Sequence, residues 1–188
     1  MDFKTLVEQT RSIRRFDESE MISEESMREL IYFASLAPSG ANLQPLRYFF
    51  SNEASLNAQI FPALGWAGYL KDWSGPSKGE RPAGYIAILN DSSIKKETID
   101  HGFAAQNIVL GAREKGLGAC VIKSIDQEAL SDVMNIPENL DILLVIAIGK
   151  PAERVKIEPV KNNDIRYWRD NQQVFHVPKR SLDEILIK

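Results

Sequence analysis

Apolar side chains recur at helical spacing in several stretches of the chain. Residues 2–10 place Phe3, Leu6 and Val7 on one face, which predicts a short first helix. Ser23 and the acidic residues after it form an N-cap signal, so a second helix is expected to begin there. The same apolar spacing predicts further helices over residues 53–60, 97–115 and 127–134.

Shorter apolar runs predict strands over residues 46–50, 85–89, 119–122 and 143–148. The last run is almost wholly apolar, as expected of a central strand. Helices come first and strands and helices then mix, an order that predicts an α+β fold rather than a doubly wound sheet. The motif G-x-G-x-x-G does not occur in the sequence, which disfavours a Rossmann dehydrogenase.

Two long stretches lack a regular pattern. Residues 61–82, the flap segment, contain several glycines and prolines and carry Trp66, Tyr69 and Trp73. Such a segment is typical of a functional flap over a substrate site, but a hydrophobic cover over the core or a dimer seam is an equally good interpretation. Residues 152–188 are expected to form an extended C-terminal tail whose scattered apolar residues pack on a second subunit.

The composition is that of a globular protein, 44% hydrophobic and 26% charged, and 188 residues fit a single domain over residues 1–188. With 23 basic and 26 acidic residues the net charge is −3, which gives no electrostatic basis for binding nucleic acid or an anionic membrane. Cys120 is the single cysteine, so no internal disulfide is possible. The N-terminus is polar, and the longest apolar run, residues 142–148, is too short to span a bilayer. Both features predict a cytoplasmic protein.

Two basic clusters lie far apart in the sequence. Arg11, Ser12 and Arg14 belong to the basic turn, residues 11–16, whereas Lys179 and Arg180 lie near the C-terminus. A phosphate monoester carries about two negative charges and several acceptor oxygens, which guanidinium groups satisfy. The basic turn alone can equally be a solvated loop, and the C-terminal pair alone favours a solvated tail. Together they suggest the hypothesis that both converge on one anion.

A third candidate segment is the Pro38 loop, residues 37–45. Pro38, Ser39, Gly40 and Asn42 allow a sharp turn that exposes backbone N–H groups. Asn42 and Gln44 add amide groups suited to the edge of a heterocycle. A helix end followed by a turn is the simpler interpretation of this loop.

Taken in order, these motifs resemble those of the nitroreductase family. The shared pattern is Arg-Ser-Ile-Arg-x-Phe at 11–16, Pro-Ser-x-x-Asn-x-Gln-Pro at 38–45, Gly-Leu-Gly at 116–118, Gly-x-Pro at 149–151 and Pro-Lys-Arg at 178–180. The likeness covers about residues 7–188, and five motifs in this order are specific although each alone is weak. The resemblance implies an FMN-dependent homodimer with shared active sites and a central, mainly antiparallel sheet flanked by helices.

The resemblance also implies roles for the candidate residues. The FMN phosphate and ribityl chain would be bound by Arg11, Ser12 and Arg14, with Lys179 and Arg180 joining them. The isoalloxazine ring would be lined by the Pro38 loop of the second subunit, through Pro38, Ser39, Gly40 and Asn42. Backbone groups of Ile122, Lys123 and Ser124 would face flavin N5 and O4.

The activity implied by the resemblance is hydride transfer from NADH or NADPH through flavin N5 to a small acceptor, such as a nitroaromatic or quinone, in a ping-pong sequence. A cation such as Arg11 or Lys179 would stabilise negative charge near flavin N1 and O2. No side chain is expected as general base and no metal site is expected. The alternatives are a specialised reaction of the same fold (reductive dehalogenation or flavin fragmentation), a flavin-binding or sensing protein without efficient turnover, and an anion-binding interaction module.

Overall fold

A computed structural model describes residues 1–95 and 99–187 of the chain. Its helices are α1 (Phe3–Gln9), α2 (Glu24–Ser35), α3 (Ala54–Ile60), α4 (Asp100–Glu114), α5 (Gln127–Met134) and α6 (Leu182–Ile185). Its strands are β1 (Phe16–Asp17), β2 (Leu46–Ser51), β3 (Gly84–Asp91), β4 (Gly118–Ile122), β5 (Leu140–Pro151), β6 (Arg154–Pro159), β7 (Trp168–Arg169) and β8 (Val174–Lys179).

The central sheet is built around β5, which pairs with β1, β3 and β4, while β2 pairs with β3 on the far side. All four of these pairings are antiparallel. Every residue of β3 is buried, as is most of β5, because both faces of these strands are covered. The expected α+β class with a mainly antiparallel sheet is therefore confirmed.

The two faces of the sheet bury separate hydrophobic clusters. Ile86, Ile88 and Ile146 point toward α2 and α4, where they pack against Leu30 and Ile108. Tyr85, Ala87 and Val145 alternate with them along the strands and face the opposite side, because successive side chains of a strand point to opposite faces. That second cluster is completed by α3, α5 and residues of the flap segment.

The second helix shows how sequence determines a local element. Ser23 Oγ accepts the N–H of Ser26 at 3.1 Å, which caps the helix N-terminus, and Glu24 and Glu25 lie in its positively polarised first turn. Met27, Leu30 and Ala34 lie three and four residues apart and are buried, as the periodicity predicts.

Strand β5 is longer than the predicted 143–148. Its polar ends also pair: Asp141 lies opposite Asn90 in β3, and Lys150 lies opposite Asp17 in β1. Helix α4 begins at Asp100 rather than in the predicted region around residue 97, and residues 97 and 98 lie outside the described part of the chain.

The C-terminal region differs from the expected extended tail. Strand β8 pairs in parallel with β6 and antiparallel with β7, so residues 154–179 form a second, three-stranded sheet. Phe175 of β8 is fully buried, so this sheet packs on its own chain. The sequence did not predict these strands because their buried and exposed positions hardly alternate. Packing of the remaining tail on a second subunit stays a prediction.

Candidate active site

The basic turn lies directly on β4. Ser12 forms a parallel bridge with Ala119, and the N–H of Ile13 donates to the Ala119 carbonyl oxygen at 2.9 Å. A Cβ on Gly118 would lie 2.7 Å from the Ile13 side chain, so only glycine permits this approach. The Gly-Leu-Gly motif therefore fixes the position of the Arg-Ser motif.

The structure brings the two basic clusters together. Arg11, Ser12, Arg14 and Lys179 line one cleft of about 260 Å³, the cationic cleft. Its other lining residues are Thr10, Gln106, Val109, Ala119, Val121, Tyr167 and Val177. The lining thus contains three cations and no carboxylate. Such a cleft has a positive potential and is chemically suited to an anion.

Arg11 is held by the end of the first helix. Its Nη2 donates to the Val7 carbonyl oxygen at 2.8 Å, and its Nε donates to the Thr10 carbonyl oxygen. Partial burial lowers the pKa of Arg11, but a guanidinium stays protonated in proteins. Arg11 therefore contributes a fixed positive charge to the cleft.

Arg14 is held by aromatic rings of the C-terminal sheet. Its guanidinium carbon lies 5.0 Å from the ring centroids of both Tyr167 and Phe175, within cation–π distance. Its backbone N–H donates to the carboxylate of Glu153. Within the described ranges, Arg11, Arg14 and Lys179 form no ion pair, so their charges are available to a ligand.

Lys179 and Arg180 behave differently although they are adjacent. Lys179 ends β8, is exposed and lines the cationic cleft. Arg180 instead donates to Asn163 Oδ1 at 3.1 Å and lies 3.8 Å from a carboxylate oxygen of Glu184. Arg180 is therefore not among the residues that line the cleft.

The three residues expected beside the flavin ring lie at the end of β4 and beyond it. Val121 is 43% exposed and lines the cleft, whereas the side chain of Ile122 is buried in the core. Lys123 and Ser124 are exposed beyond the strand, and the Ser124 carbonyl oxygen accepts the N–H of Gly65 at 2.7 Å. The sequence analysis missed Val121, although the period of two indicates that neighbours in a strand face opposite sides.

The Pro38 loop is fixed by a buried carboxylate. Asp100, 4% exposed, accepts the Ser39 hydroxyl at 2.6 Å and the Gly40 N–H at 3.3 Å. Ser39 Oγ also accepts the N–H of Gln44 at 2.9 Å. Ala41, Asn42 and Gln44 have φ of 50°, 54° and 50°, a left-handed conformation that non-glycine residues rarely adopt.

This loop lines a cavity of its own. Pro38, Ser39, Tyr48 and Asp100 belong to that cavity, which shares no lining residue with the cationic cleft. Burial and the nearby Asp100 raise the pKa of Tyr48 to about 12. Pro38, Gly40 and Asn42 are exposed. Within one chain the structure does not bring the Pro38 loop and the basic clusters into one site.

The three aromatic residues of the flap segment occupy three different environments. Trp66 is buried (9% exposed) in the core, against Phe61 at a centroid distance of 5.8 Å. Trp73 is partly buried and packs edge-on to Trp66. Tyr69 is 49% exposed, and its ring centroid lies 4.9 Å from that of Tyr167 in the cationic cleft. Trp66 thus covers the core, and Tyr69 is the aromatic residue placed beside the cleft.

Besides Val121, three further residues of this region were not predicted from the sequence: Glu153, Tyr167 and Arg169. Tyr167 lines the cleft, and Glu153 pairs with Arg169 beneath the basic turn. The tail sequence Tyr-Trp-Arg-Asp at 167–170 is unusually rich in aromatic and charged groups for an extended segment, and this was the available signal. No local sequence pattern indicates the Glu153–Arg169 pair, because its partners are 16 residues apart.

Cys120 is confirmed as a small core residue, 3% exposed, and burial raises the pKa of its thiol. His176 lies between Asp170 and Glu158 outside the cationic cleft. Among residues 1–95 and 99–187 there is no group of three or more His, Cys, Asp or Glu residues arranged to hold a metal ion. No helix in those ranges combines the length and apolar character needed to cross a membrane.

Comparison with known proteins identifies the family. The sequence model of the nitroreductase family matches residues 7–150. A provisionally assigned NADH dehydrogenase/NAD(P)H nitroreductase of Archaeoglobus fulgidus is 26% identical over 152 residues, which cover 76% of this chain and 82% of that protein. The iodotyrosine deiodinase of Thermotoga neapolitana is 24% identical over 182 residues, covering 86% of this chain and 95% of that protein.

A solved structure supports the same fold. A provisionally assigned NAD(P)H:FMN oxidoreductase of Staphylococcus epidermidis superposes with a TM-score of 0.69 at 20% identity, covering 85% of this chain and 91% of that one. Because the family match spans most of the described chain, the resemblance drawn from the five motifs is confirmed. The protein is an oxidoreductase that belongs to the nitroreductase family.

Proposed function

We propose that the protein binds FMN with the phosphate in the cationic cleft and transfers hydride from NADH or NADPH to a small acceptor, such as a nitroaromatic or quinone, by a ping-pong mechanism. The observation that carries the proposal is the cleft itself, in which Arg11, Arg14 and Lys179 converge without a carboxylate. These cations come from opposite ends of the chain, so their convergence is a product of the fold.

The residues present fit an FMN phosphate. Two guanidinium groups and an ammonium group match about two negative charges, and charge-assisted hydrogen bonds to phosphate are among the strongest in proteins. Ser12 adds a hydroxyl donor beside them. The aromatic rings of Tyr167 and Phe175 keep the Arg14 side chain in place, which lowers the entropic cost of binding.

A second copy of the chain would complete the site. The Pro38 loop is exposed and lies outside the cleft of its own chain, which fits a loop presented to the partner subunit's flavin. Leu182, Ile185, Leu186 and Ile187 at the C-terminus are 52–96% exposed, an apolar surface that a second subunit would cover. The proposed assembly is a homodimer with two shared sites.

When bound, the flavin supplies the atom N5 that accepts hydride from the nicotinamide and gives it to the acceptor. The protein's residues bind and orient rather than exchange protons. Tyr69, beside the cleft and half exposed, would contact the acceptor or nicotinamide on the open face. No side chain acts as general base in this proposal.

Reductive dehalogenation is a second candidate, because one relative is the iodotyrosine deiodinase of Thermotoga neapolitana. It would use the same FMN site with a halogenated aromatic as acceptor. Halide release from an iodinated phenol by the reduced protein separates it from nitro or quinone reduction.

The test uses the purified full-length protein with FMN added. We expect flavin absorption bands, bleaching by NADH or NADPH under anaerobic conditions, and reoxidation by nitroaromatics or quinones in a second, independent step. Parallel double-reciprocal plots would support the ping-pong sequence. A bound flavin that neither NADH nor NADPH reduces would favour a binding or sensing protein. A protein that does not bind FMN would favour an anion-binding module.

A further inference from the structure

A chain of contacts joins the basic turn to the flap segment. The N–H of Arg14 donates to one carboxylate oxygen of Glu153, and the other oxygen accepts Nη2 of Arg169 at 2.9 Å. The guanidinium of Arg169 then lies 4.9 Å from the ring centroid of Trp73 in the flap segment. Arg169 is therefore connected to the basic turn on one side, through Glu153, and contacts the flap segment on the other.

This connection is buried. The side chains of Glu153 and Arg169 are 1% and 9% exposed. Arg169 Nε has no hydrogen-bond partner within the described ranges, so its remaining interactions are with the rings of Trp73 and Phe175. Neither partner can move into water without losing its contacts, so the two side chains hold each other in place.

A second contact path runs in parallel. Arg14 lies over the Tyr167 ring, and Tyr167 packs against Tyr69 of the flap segment and accepts its N–H at 3.4 Å. Both paths begin at Arg14 and end on either side of Lys71, at Tyr69 and Trp73. Lys71 is exposed and is a site for trypsin.

We infer that Glu153 and Arg169 are positioning residues that couple the cationic cleft to the flap segment. An anion bound in the cleft then holds the flap segment closed, which means packed on the core as described above. The inference rests on the proposed function, since it takes FMN as that anion. An anion that fixes Arg14 also fixes Glu153 and, through Arg169, Trp73. By linkage, a segment held closed must in turn strengthen FMN binding.

The experiment measures trypsin cleavage after Lys71 in the full-length protein with and without saturating FMN. In the wild type, FMN is expected to slow cleavage about 5-fold or more. Arg169→Lys keeps a cation for Glu153 but removes the planar group that stacks on Trp73. This variant should therefore still bind FMN, with an affinity reduced by no more than the lost coupling, and should lose most of the protection.

The control variant is Arg28→Ala, which removes an exposed arginine that pairs with Glu24 in α2 rather than with the flap segment. It should retain the wild-type protection. If Arg169 has a merely structural role, Arg169→Lys should change the cleavage rate by the same factor with and without FMN. The ratio of the two rates would then equal that of the wild type. The readout is therefore that ratio and not the absolute rate.

The outcomes separate this inference from the proposed function. A protein that binds no FMN contradicts both. Bound FMN without slower cleavage after Lys71 contradicts the coupling alone, as does full protection in the Arg169→Lys variant.

Discussion

Glu153 and Arg169 form an ion pair at 2.9 Å whose side chains are 1% and 9% exposed. Glu153 also accepts the backbone N–H of Arg14, so the buried charge has two donors. Breaking a buried pair leaves one charge without compensation, which costs about 3–5 kcal/mol. The basic turn and the C-terminal sheet therefore depend on each other for stability.

The first prediction concerns this pair. Glu153→Ala should lower the free energy of unfolding by about 3–5 kcal/mol, because Arg169 stays buried without its carboxylate. Urea denaturation measures the change. Arg166→Ala, which breaks an exposed pair, is the comparison and should leave the urea midpoint unchanged. Equal midpoints for both variants would show that the buried pair adds no stability.

The second prediction concerns Gly118. A Cβ there would lie 2.7 Å from Ile13, so Gly118→Ala should push the basic turn off β4 and destabilise the protein by about 1–3 kcal/mol. FMN affinity should fall with it, since Arg11 and Arg14 move with the turn. Gly102→Ala in α4 is the matched control, because outside its own helix backbone and chain neighbours no atom lies within 4 Å of the added methyl group. Unaltered FMN affinity in Gly118→Ala would argue that the turn does not bind the cofactor.

The third prediction separates two aromatic residues of the flap segment. Tyr69→Ala should raise the KM for the acceptor while FMN content is retained, because Tyr69 is half exposed beside the cleft. Trp66→Ala should instead destabilise the fold by about 3–5 kcal/mol, as expected for a buried aromatic. Steady-state kinetics and urea denaturation of both variants distinguish these roles. Wild-type kinetics in Tyr69→Ala would remove that residue from the substrate site.

The fourth prediction is a pH dependence located in the C-terminal sheet. Hydrogen bonds from His176 to Asp170 and then to Glu158 raise the pKa of His176, while the pKa of each carboxyl is lowered. Since the folded protein binds the imidazole proton more tightly, this stabilisation is complete below the unfolded-state pKa of about 6.5 and is lost as pH rises through the raised value.

Urea denaturation between pH 6 and 9 measures this effect. The wild type should lose stability as pH rises over this window relative to His176→Gln, which cannot titrate. Lys156 also pairs with Glu158, at 2.9 Å, and keeps that carboxylate charged throughout. Identical pH profiles for the two proteins would contradict the assignment.

The sequence predicted those elements whose side chains repeat regularly. Met27, Leu30 and Ala34 show the helical period in α2, and the apolar run of β5 indicates a central strand. Residues 154–179 do not repeat in this way, since most positions of β6 and β8 are at least partly exposed. Phe175 of β8 is the fully buried residue that anchors this sheet on the rest of the chain. Local pattern carries no information on such long-range packing.

The same distinction holds for the site. The basic turn and Lys179 could be predicted as anion-binding candidates from residue type alone, because an anion site needs cations wherever they lie in the chain. Arg180 has the same residue type as Arg11, but it donates to Asn163 and pairs with Glu184. Only the fold reveals these contacts. Glu153 was not found because a single acidic residue beside a cationic cleft has no distinctive local signature. Tyr167 was missed although it lies in the aromatic and charged stretch at 167–170.

The most direct test of a phosphate site between the two basic clusters compares FMN with riboflavin, which lacks the phosphate. Kd values for both ligands are measured by titrating the flavin-free wild type, Arg14→Ala and Lys179→Ala. We expect the wild type to bind FMN more tightly than riboflavin. Arg14→Ala should weaken FMN binding about 10- to 150-fold, the equivalent of roughly 1.5–3 kcal/mol, and Lys179→Ala should weaken it less, with riboflavin affinity unchanged in both. Equal affinity of the wild type for the two ligands, or equal weakening of both in the variants, would contradict the placement of the phosphate between the two basic clusters.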